Sequence, residues 1–311
     1  MLINDKILIL DFNNMATRIV FRVCAGANKI GQFIKPYDFQ YELYLRKMWL
    51  NETLGAILTI MSTLMNRHVT VIAVDSENPW RMNIYEEYKQ NRAKYRSATG
   101  KDMNWTSIFN LYNEFLEMLD TVPALITLKV RRCEADDIIG TLIHKNAETD
   151  NIIVSNDGDF KQLANKATLI SNYHNLGDTI RYTEKEAREN LITKIILGDS
   201  SDNISNMIRG VGEKTVQKLI EEHGISEIVS KLVETHHEKH PMCLHNYKRN
   251  ELLIDLSKVP NVLQDEIITR YKIKKKDYSR DFEPIIEFAK KNGLNHFQHE
   301  IVAAKMRLMY G

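Results

Sequence analysis

The sequence predicts an α/β fold, with a mainly parallel sheet carrying helices on both faces and a helical C-terminal region after it. Three observations predict this. Short continuous apolar runs recur, and several end at a carboxylate. Segments with helical spacing separate them. From about residue 184 the apolar runs give way to helical spacing alone. Continuous apolar runs of strand length fit strands covered on both faces. Their alternation with helical segments is the grammar of a parallel sheet.

The elements follow in order. "KILILDFNN" reads as a buried strand ending in Asp11, and "VTVIAVDSENPW" repeats the pattern and ends in Asp75. Between them "YELYLRKMWLNETLGAILTIMSTLM" is a long amphipathic helix, and "WTSIFNLYNEFLEMLDTV" is a second. "ALITLKV" is the third strand, followed by the helical "CEADDIIGTLI". "NIIVSNDGD" is the fourth strand, ending in Asp157 and Asp159, and "ATLIS" is the fifth. The α/β part is therefore placed at residues 1–183 and the helical region at 184–311. The helical region contains "TEKEARENLITKIIL", "EKTVQKLIEEHG", "ISEIVSKLVETH", "YKRNELLIDL" and "FEPIIEFAKKNGL". There is no internal repeat and no low-complexity tract.

Composition narrows the class. The 311 residues are 43% hydrophobic and 27% charged, enough to bury a core and stay soluble. No apolar run approaches the ~20 residues that cross a bilayer, and the N-terminus does not read as a signal peptide. Cys24, Cys133 and Cys243 are widely spaced and odd in number, which suits a reducing compartment without a disulfide framework. Cytoplasm is the expected location. A formal net charge of +1, from 42 basic and 41 acidic residues, does not announce a polyanion partner by itself. Locally the segment near 81–104 is basic, with Arg81, Lys89, Arg92, Lys94, Arg96 and Lys101.

The acids hold the strongest chemical signal. In an open parallel sheet, ligands bind beyond the carboxyl ends of the strands. Asp11, Asp75, Asp157 and Asp159 follow strands directly, Glu134, Asp136 and Asp137 open the helix after the third, and Asp199 and Asp202 lie in "LGDSSDNI". So many carboxylates at one edge repel one another unless a cation is present. Hard oxygen donors suit Mg²⁺ or Mn²⁺. Two such ions about 3.5–4 Å apart can serve phosphodiester cleavage. The plain alternative is capping, since Asp and Glu are favoured at helix N-termini. Capping explains "EADD" taken alone, but not Asp11 and Asp75.

Two further features bear on binding. Lys89 and Arg92 are three apart and share a face if the segment is helical. There they could hold a phosphate, although a solvated face is the plainer reading. "IRGVGEKTVQKLI" places Gly210 and Gly212 before a helix opened by Glu213, Lys214 and Thr215. Glycines let a backbone approach closely, and a helix N-terminus offers free N–H groups to a phosphate. This is the shape of a helix-hairpin-helix, near 203–223, a grip on a nucleic-acid backbone that ignores sequence. An ordinary turn between helices is the alternative. "THHEKHPMCLH" fits no standard zinc spacing and reads as a solvated loop.

In the order "ILDFNN", "VDSENPWRMNIYEEYKQNR", "CEADD", "SNDGDF", "GDSSDNI" and "RGVGEKTVQKL", the chain resembles the 5′-nuclease superfamily. That superfamily includes flap endonucleases, the 5′-exonuclease domain of DNA polymerase I and the phage RNase H type, to which the likeness is greatest. The likeness runs from Asp11 to about Lys218 and implies a PIN-like sheet. It also implies that Asp11, Asp75, Glu134, Asp136, Asp157 and Asp159 bind metals, with Asp137, Asp199 and Asp202 completing the set. Lys89 and Arg92 would stand at the foot of a helical arch, with Arg81, Lys94 and Arg96 adding DNA contacts. Gly210, Gly212, Lys214 and Thr215 would bind duplex backbone, with a K⁺ ion at the hairpin. The loop "SNMIRGVG" departs from the Pro- and Gly-rich link of many relatives.

The expected function is a Mg²⁺-dependent 5′-to-3′ nuclease, exonuclease and flap endonuclease with RNase H activity. It would act on branched, nicked or RNA-primed duplexes and remove primers and flaps during replication and repair. Branched duplex DNA and RNA–DNA hybrids are the expected partners, with a single-strand-binding protein added by the resemblance. A monomer is expected, in the host cytoplasm if the chain is a phage protein. Two rivals are a PIN-type ribonuclease for single-stranded RNA, which would lack the hairpin, and a non-catalytic junction-binding protein, which should show gaps among the acids.

Overall fold

The computed structural model describes residues 2–30, 35–64, 68–99, 102–146, 150–294, 297, 299, 301–303 and 306. At its centre is a six-stranded sheet in the order β3-β2-β1-β4-β5-β6. The strands are β1 (Ile7–Asp11), β2 (Val69–Val74), β3 (Ile126–Lys129), β4 (Asn151–Val154), β5 (Ala167–Ile170) and β6 (Thr179–Ile180). The first five are parallel, and the short β6 adds antiparallel to β5. The order reverses direction at β1: β2 and β3 extend one way, β4 and β5 the other. Such a switch point opens a crevice at the carboxyl ends of the central strands.

Side-chain alternation in the strands splits the interior in two. Leu8, Leu10, Ile72 and Val74 face one core, while Ile7, Ile9, Val71 and Ala73 face the other. The first core is covered by α1 (Phe12–Ile30), α2 (Leu43–Leu64) and α4 (Trp105–Asp120). The second is covered by α5 (Ala135–Lys145) and α10 (Asn261–Lys276). A strand buried on both faces has no polar face to show, which is why these runs read as continuously apolar.

The helical region is less separate than residues 184–311 suggest. α6 (Glu184–Leu197), α7 (Glu213–His223), α8 (Ile228–His236) and α9 (Cys243–Ile254) share a small core of their own, built on Ile196, Met207, Ile208, Val211, Val216, Ile228 and Leu232. Beyond Leu256 the chain returns to the sheet. Ile267, Ile268 and Tyr271 of α10 enter the second core. Phe282, Ile285 and Ala289, in and beside α11 (Glu283–Lys291), enter the first. The last described helices thus complete the two layers that flank the sheet.

The helical reading above does not extend to α1 or α10. In α1, Phe12, Met15, Ala16, Ile19, Val20 and Val23 form one buried stripe at helical spacing. The basic segment after β2 folds as a short turn, Trp80–Asn83, and then as α3 (Gln90–Thr99). Among the described residues no helix is long and apolar enough to cross a membrane, and all three cysteines are buried thiols.

Candidate active site

The carboxyl edge of the sheet lies in a cleft of about 540 Å³. Asp11, Asp75, Asp136 and Asp157 line it, with Lys89 and Arg92 also on its wall. Each acid arrives from a different element. Asp11 is the last residue of β1, Asp75 follows β2, Asp136 sits in the first turn of α5, and Asp157 follows β4. The backbone holds them in place. Asp11 accepts the Asn14 N–H at 3.2 Å and the Ser155 hydroxyl at 3.0 Å. Asp75 accepts the Ala135 N–H at 2.8 Å, tying the end of β2 to the start of α5. Asp157 accepts the Asp159 N–H at 2.9 Å and caps the turn that follows.

These acids are short of positive charge. Burial, with Asp75 beside it, pushes the Asp11 carboxyl up to about 7. Burial raises Asp75 as well, against the pull of Lys89. Asp136 is raised well above the ordinary carboxylate range by burial and by Asp157 and Asp11, and nearby Lys89 only partly opposes this. Carboxyls with raised pKa gathered in a cleft mark a place suited to a cation or a shared proton.

The remaining acids are already paired. Glu134 receives Arg81 at 2.9 Å, the Tyr88 hydroxyl at 2.9 Å and the Lys89 ammonium. Burial alone would raise Glu134, but Lys89 and Arg81 hold it below its usual value. Asp202 receives Arg92 at 2.7 Å and Lys89 at 3.5 Å, and its carbonyl accepts the Lys89 N–H at 2.9 Å. Asp159 and Asp199 share Lys194 of α6, with Asp199 at 3.0 Å. Lys89 itself adopts a left-handed backbone, φ 58°. That conformation is costly for a side chain of this kind and clusters at functional sites.

Two expected roles are corrected. Arg81 is 2% exposed, so it cannot meet DNA. Its guanidinium binds Glu134 and, at 2.7 Å, Asp137, and its Nε donates to the Leu253 carbonyl at 2.8 Å. Asp137 is fully buried and accepts the Glu134 N–H at 2.8 Å. It is a helix cap and a partner of Arg81, and it lies away from the cleft. Capping, the plainer reading of "EADD", therefore holds for Asp137, while Asp136 faces the acids. Lys89 precedes α3, so the pair meets at Asp202 without sharing a helical face. The side chains of Lys94 and Arg96, and Lys101 as a whole, lie outside the described residues.

Four features were not anticipated: Tyr88, Ser155 and Lys194, which hold Glu134, Asp11 and Asp199, and the aromatic side chains of Phe21, Tyr95, Trp105 and Phe109 lining the cleft. The aromatic pair Trp105 and Phe109 is visible in the sequence at i, i+4 spacing, but only the fold shows which side it faces. Among the described residues no three carboxylate, imidazole or thiolate groups form a ready-made metal cage.

The hairpin lies beside this site. Asp199 and Ile204 bridge across a tight loop, and Gly198 before it adopts φ 69°. A Cβ there would stand 2.4 Å from the Ile204 carbonyl oxygen, so only glycine fits. Gly210 has φ 89°, and Gly212 caps α7, whose first turn presents Lys214 and Thr215 to solvent.

A sequence profile of the 5′-3′ exonuclease N-terminal, resolvase-like domain matches residues 6–192. The chain belongs to the 5′-3′ exonuclease family. Ribonuclease H of Enterobacteria phage T4 is 26% identical over 217 residues, covering 65% of this chain and 68% of that one. A 5′-3′ exonuclease of Bacillus subtilis is 28% identical over 195 residues, covering 60% and 61%. DNA polymerase I of Lactococcus lactis is 27% identical over 255 residues, and the match spans only 26% of it. Among solved structures, the bacteriophage T5 flap endonuclease in a complex with DNA and metal ions has a TM-score of 0.63 at 19% identity, covering 87% of this chain and 99% of that one. At that identity the likeness establishes the fold: the mostly parallel sheet and the helical C-terminal region are shared.

Proposed function

We propose that this member of the family is a divalent-metal-dependent 5′-to-3′ nuclease. It acts on branched, nicked or RNA-primed duplexes and removes flaps and RNA primers. The observation that carries the proposal is one cleft with two charges: Asp11, Asp75, Asp136 and Asp157 on its acidic side, and Lys89 and Arg92 beside them. The relatives' names support the reading, since they include a ribonuclease H, a 5′-3′ exonuclease and a flap endonuclease held with DNA and metal ions.

The donor set fits Mg²⁺ or Mn²⁺. It is all oxygen, it stands at the carboxyl edge, and the pull of Lys89 only partly offsets the rise at Asp75 and Asp136. A loosely gathered set suits Mg²⁺, which keeps several waters and is held through one or two carboxylates plus phosphate oxygens. When bound, such ions neutralise charge on the phosphoryl oxygens and lower the pKa of an attacking water. Asp11, Asp75, Asp136 and Asp157 would hold them, with Glu134 and Asp202 adding charge once Lys89 and Arg92 turn to substrate, and with Asp159 and Asp199 beside them on Lys194.

The chain's own groups do the positioning. Ser155 and the Asn14 N–H fix both oxygens of Asp11. Lys89 and Arg92 present two fixed cations to the scissile phosphate and stabilise the charge that develops there. The exposed N-terminus of α7, with Gly210, Gly212, Lys214 and Thr215, grips the duplex backbone by N–H groups and one ammonium. A K⁺ ion at the hairpin and a single-strand-binding partner remain part of the proposal through the resemblance.

The test is cleavage of a 5′-labelled flap and of an RNA–DNA hybrid, with Mg²⁺ or EDTA, by the wild type and by Asp157→Asn. The expected result is Mg²⁺-dependent products near the branch, lost in the variant. Tight binding without cleavage would favour a junction-binding protein. Cleavage of unpaired RNA alone would favour a single-strand ribonuclease.

A further inference from the structure

The end of α9 rests on the elements that carry the acids, and the proposed chemistry leaves that contact unused. A helix leaves its last carbonyls without partners of its own. In α9 the Leu253 carbonyl receives Arg81 Nε at 2.8 Å, and the Ile254 carbonyl receives Gln162 Nε2 at 3.1 Å. The chain then enters the short turn Leu256–Lys258, where the Leu256 N–H donates to Gln162 Oε1 at 2.9 Å. Leu256 also lies against α5. A Cβ at Gly140 would stand 2.8 Å from the Leu256 Cβ, so any larger residue would push the two apart.

Each of these contacts leads back to an acid. Arg81 holds Glu134 and Asp137. α5 carries Asp136 in its first turn. Gln162 belongs to the turn Gly158–Leu163 that Asp157 caps, and its Nε2 donates a second time, to the Asp159 carbonyl at 2.9 Å. The Asp159 N–H is bonded to the Asp157 carboxylate at 2.9 Å. Asp159 is thus held from both sides, by Asp157 on its N–H and by Gln162 on its carbonyl. The segment Leu253–Leu256 from which these contacts spread lies beyond residue 192, where the match to the family profile ends.

Apolar burial alone would dock α9, since Leu253, Ile254 and Leu256 are all buried. It carries no direction, whereas hydrogen bonds do. Here the directed bonds end on the groups that hold the acids. Outer partners that orient metal-binding carboxylates commonly matter as much as the ligands, and losing one costs about 10–100-fold in metal affinity or activity.

We propose that Gln162 is a positioning residue, which fixes the Asp157–Asp159 turn against the end of α9 and so sets how tightly that turn receives a divalent ion. This rests on the metal-dependent nuclease reading and deepens it. Gln162 does not line the cleft, so it acts through Asp159 and Asp157. The brace makes the acidic site depend on the helical region as well as on the sheet.

Methionine matches glutamine in length and removes the amide with all its bonds. Mn²⁺ binding by the wild-type chain and by Gln162→Met is measured without nucleic acid, from the electron paramagnetic resonance of the free ion. Melting, duplex binding in EDTA and single-turnover cleavage of a flap across a Mn²⁺ titration are measured on the same preparations. The expected result is Mn²⁺ binding about ten-fold weaker or worse in Gln162→Met, with duplex binding unchanged. Its cleavage should need correspondingly more Mn²⁺, and excess Mn²⁺ should restore the rate. A lower melting midpoint with wild-type Mn²⁺ affinity would mean that the amide only caps α9, and would overturn the proposal. Gln162→Asn draws the amide back by one carbon and carries the same comparison if Gln162→Met does not fold. Weaker Mn²⁺ binding in it upholds the brace, and wild-type affinity overturns it. Cleavage by the wild type with equal Mn²⁺ affinity in the variants removes the brace and leaves the nuclease. Mn²⁺ binding that depends on Gln162, without cleavage by the wild type, upholds the brace and removes the nuclease.

Discussion

At the scale of single residues, the site divides by who supplies the counter-charge. Among the described residues, Asp11, Asp75, Asp136 and Asp157 face the cleft with Lys89 only partly offsetting Asp75 and Asp136, whereas Glu134 and Asp202 are ion-paired by Lys89, Arg92 and Arg81. Lys89 therefore has two partners, the acids now and a phosphate in the proposed reaction. Lys89→Met should lower single-turnover cleavage by about 10²-fold or more, the usual effect of removing one charge-stabilising donor. Binding of the duplex should change little, because the hairpin is untouched, and a loss confined to binding would refute the role. Arg81 behaves differently. Its removal strands two buried carboxylates, so Arg81→Met should destabilise the fold by about 3–5 kcal/mol in urea denaturation. A change near zero would mean that the pair is dispensable. These placements explain which residues the sequence made legible. An acid ending an apolar strand announces its position, because the sheet puts all such ends on one edge. Arg81 and Asp137 gave no such sign, since Arg81 meets Glu134 across 53 positions of chain and its burial follows from that contact.

At the scale of elements, the five parallel strands and most helices were legible from period alone, the two-residue β6 was not, and the exceptions have physical causes. α10 buries only Ile267, Ile268 and Tyr271 across sixteen residues, and its end is a run of lysines, so charge masks the stripe. α1 has a full apolar stripe, but it begins directly after Asp11 with no break in the chain, so strand and helix merge into one run. The hairpin depends on its loop. Gly198→Ala would drive a Cβ into the Ile204 carbonyl, and it should lower the thermal midpoint and weaken duplex binding together. Unchanged melting would show that the loop yields. Lys214 stands exposed in the first turn of α7, where it adds charge to free N–H groups. Lys214→Ala should weaken binding to all sequences alike and reduce the salt slope by about one unit. A loss that depends on sequence would contradict a backbone grip.

At the scale of the whole molecule, near-neutral total charge conceals a separation of sign. Carboxyls crowd the carboxyl edge, with lysines and arginines beside them, so the net charge of +1 says little about the local field. That separation has a cost that depends on pH. Asp11, Asp75 and Asp136 are raised in the folded chain, so between about pH 4 and 7 the folded state binds more protons than the unfolded state. Stability then falls as pH rises through that window. Glu134 and Asp199 are held low and act in the opposite sense, but their contribution is lost only as pH falls below the usual carboxylate range. The metal-free chain in EDTA should therefore melt several degrees lower at pH 7.5 than at pH 5. Millimolar Mg²⁺ should recover the difference at pH 7.5 and have little effect at pH 5, where protons already occupy the site. A ligand present at a hundred times its dissociation constant stabilises by about 2.7 kcal/mol, which is enough to see in a melting curve. Asp157→Asn should blunt the Mg²⁺ response. If the EDTA-treated chain grew more stable with rising pH, the acids would have to be compensated within the fold, and the cation assignment would fall.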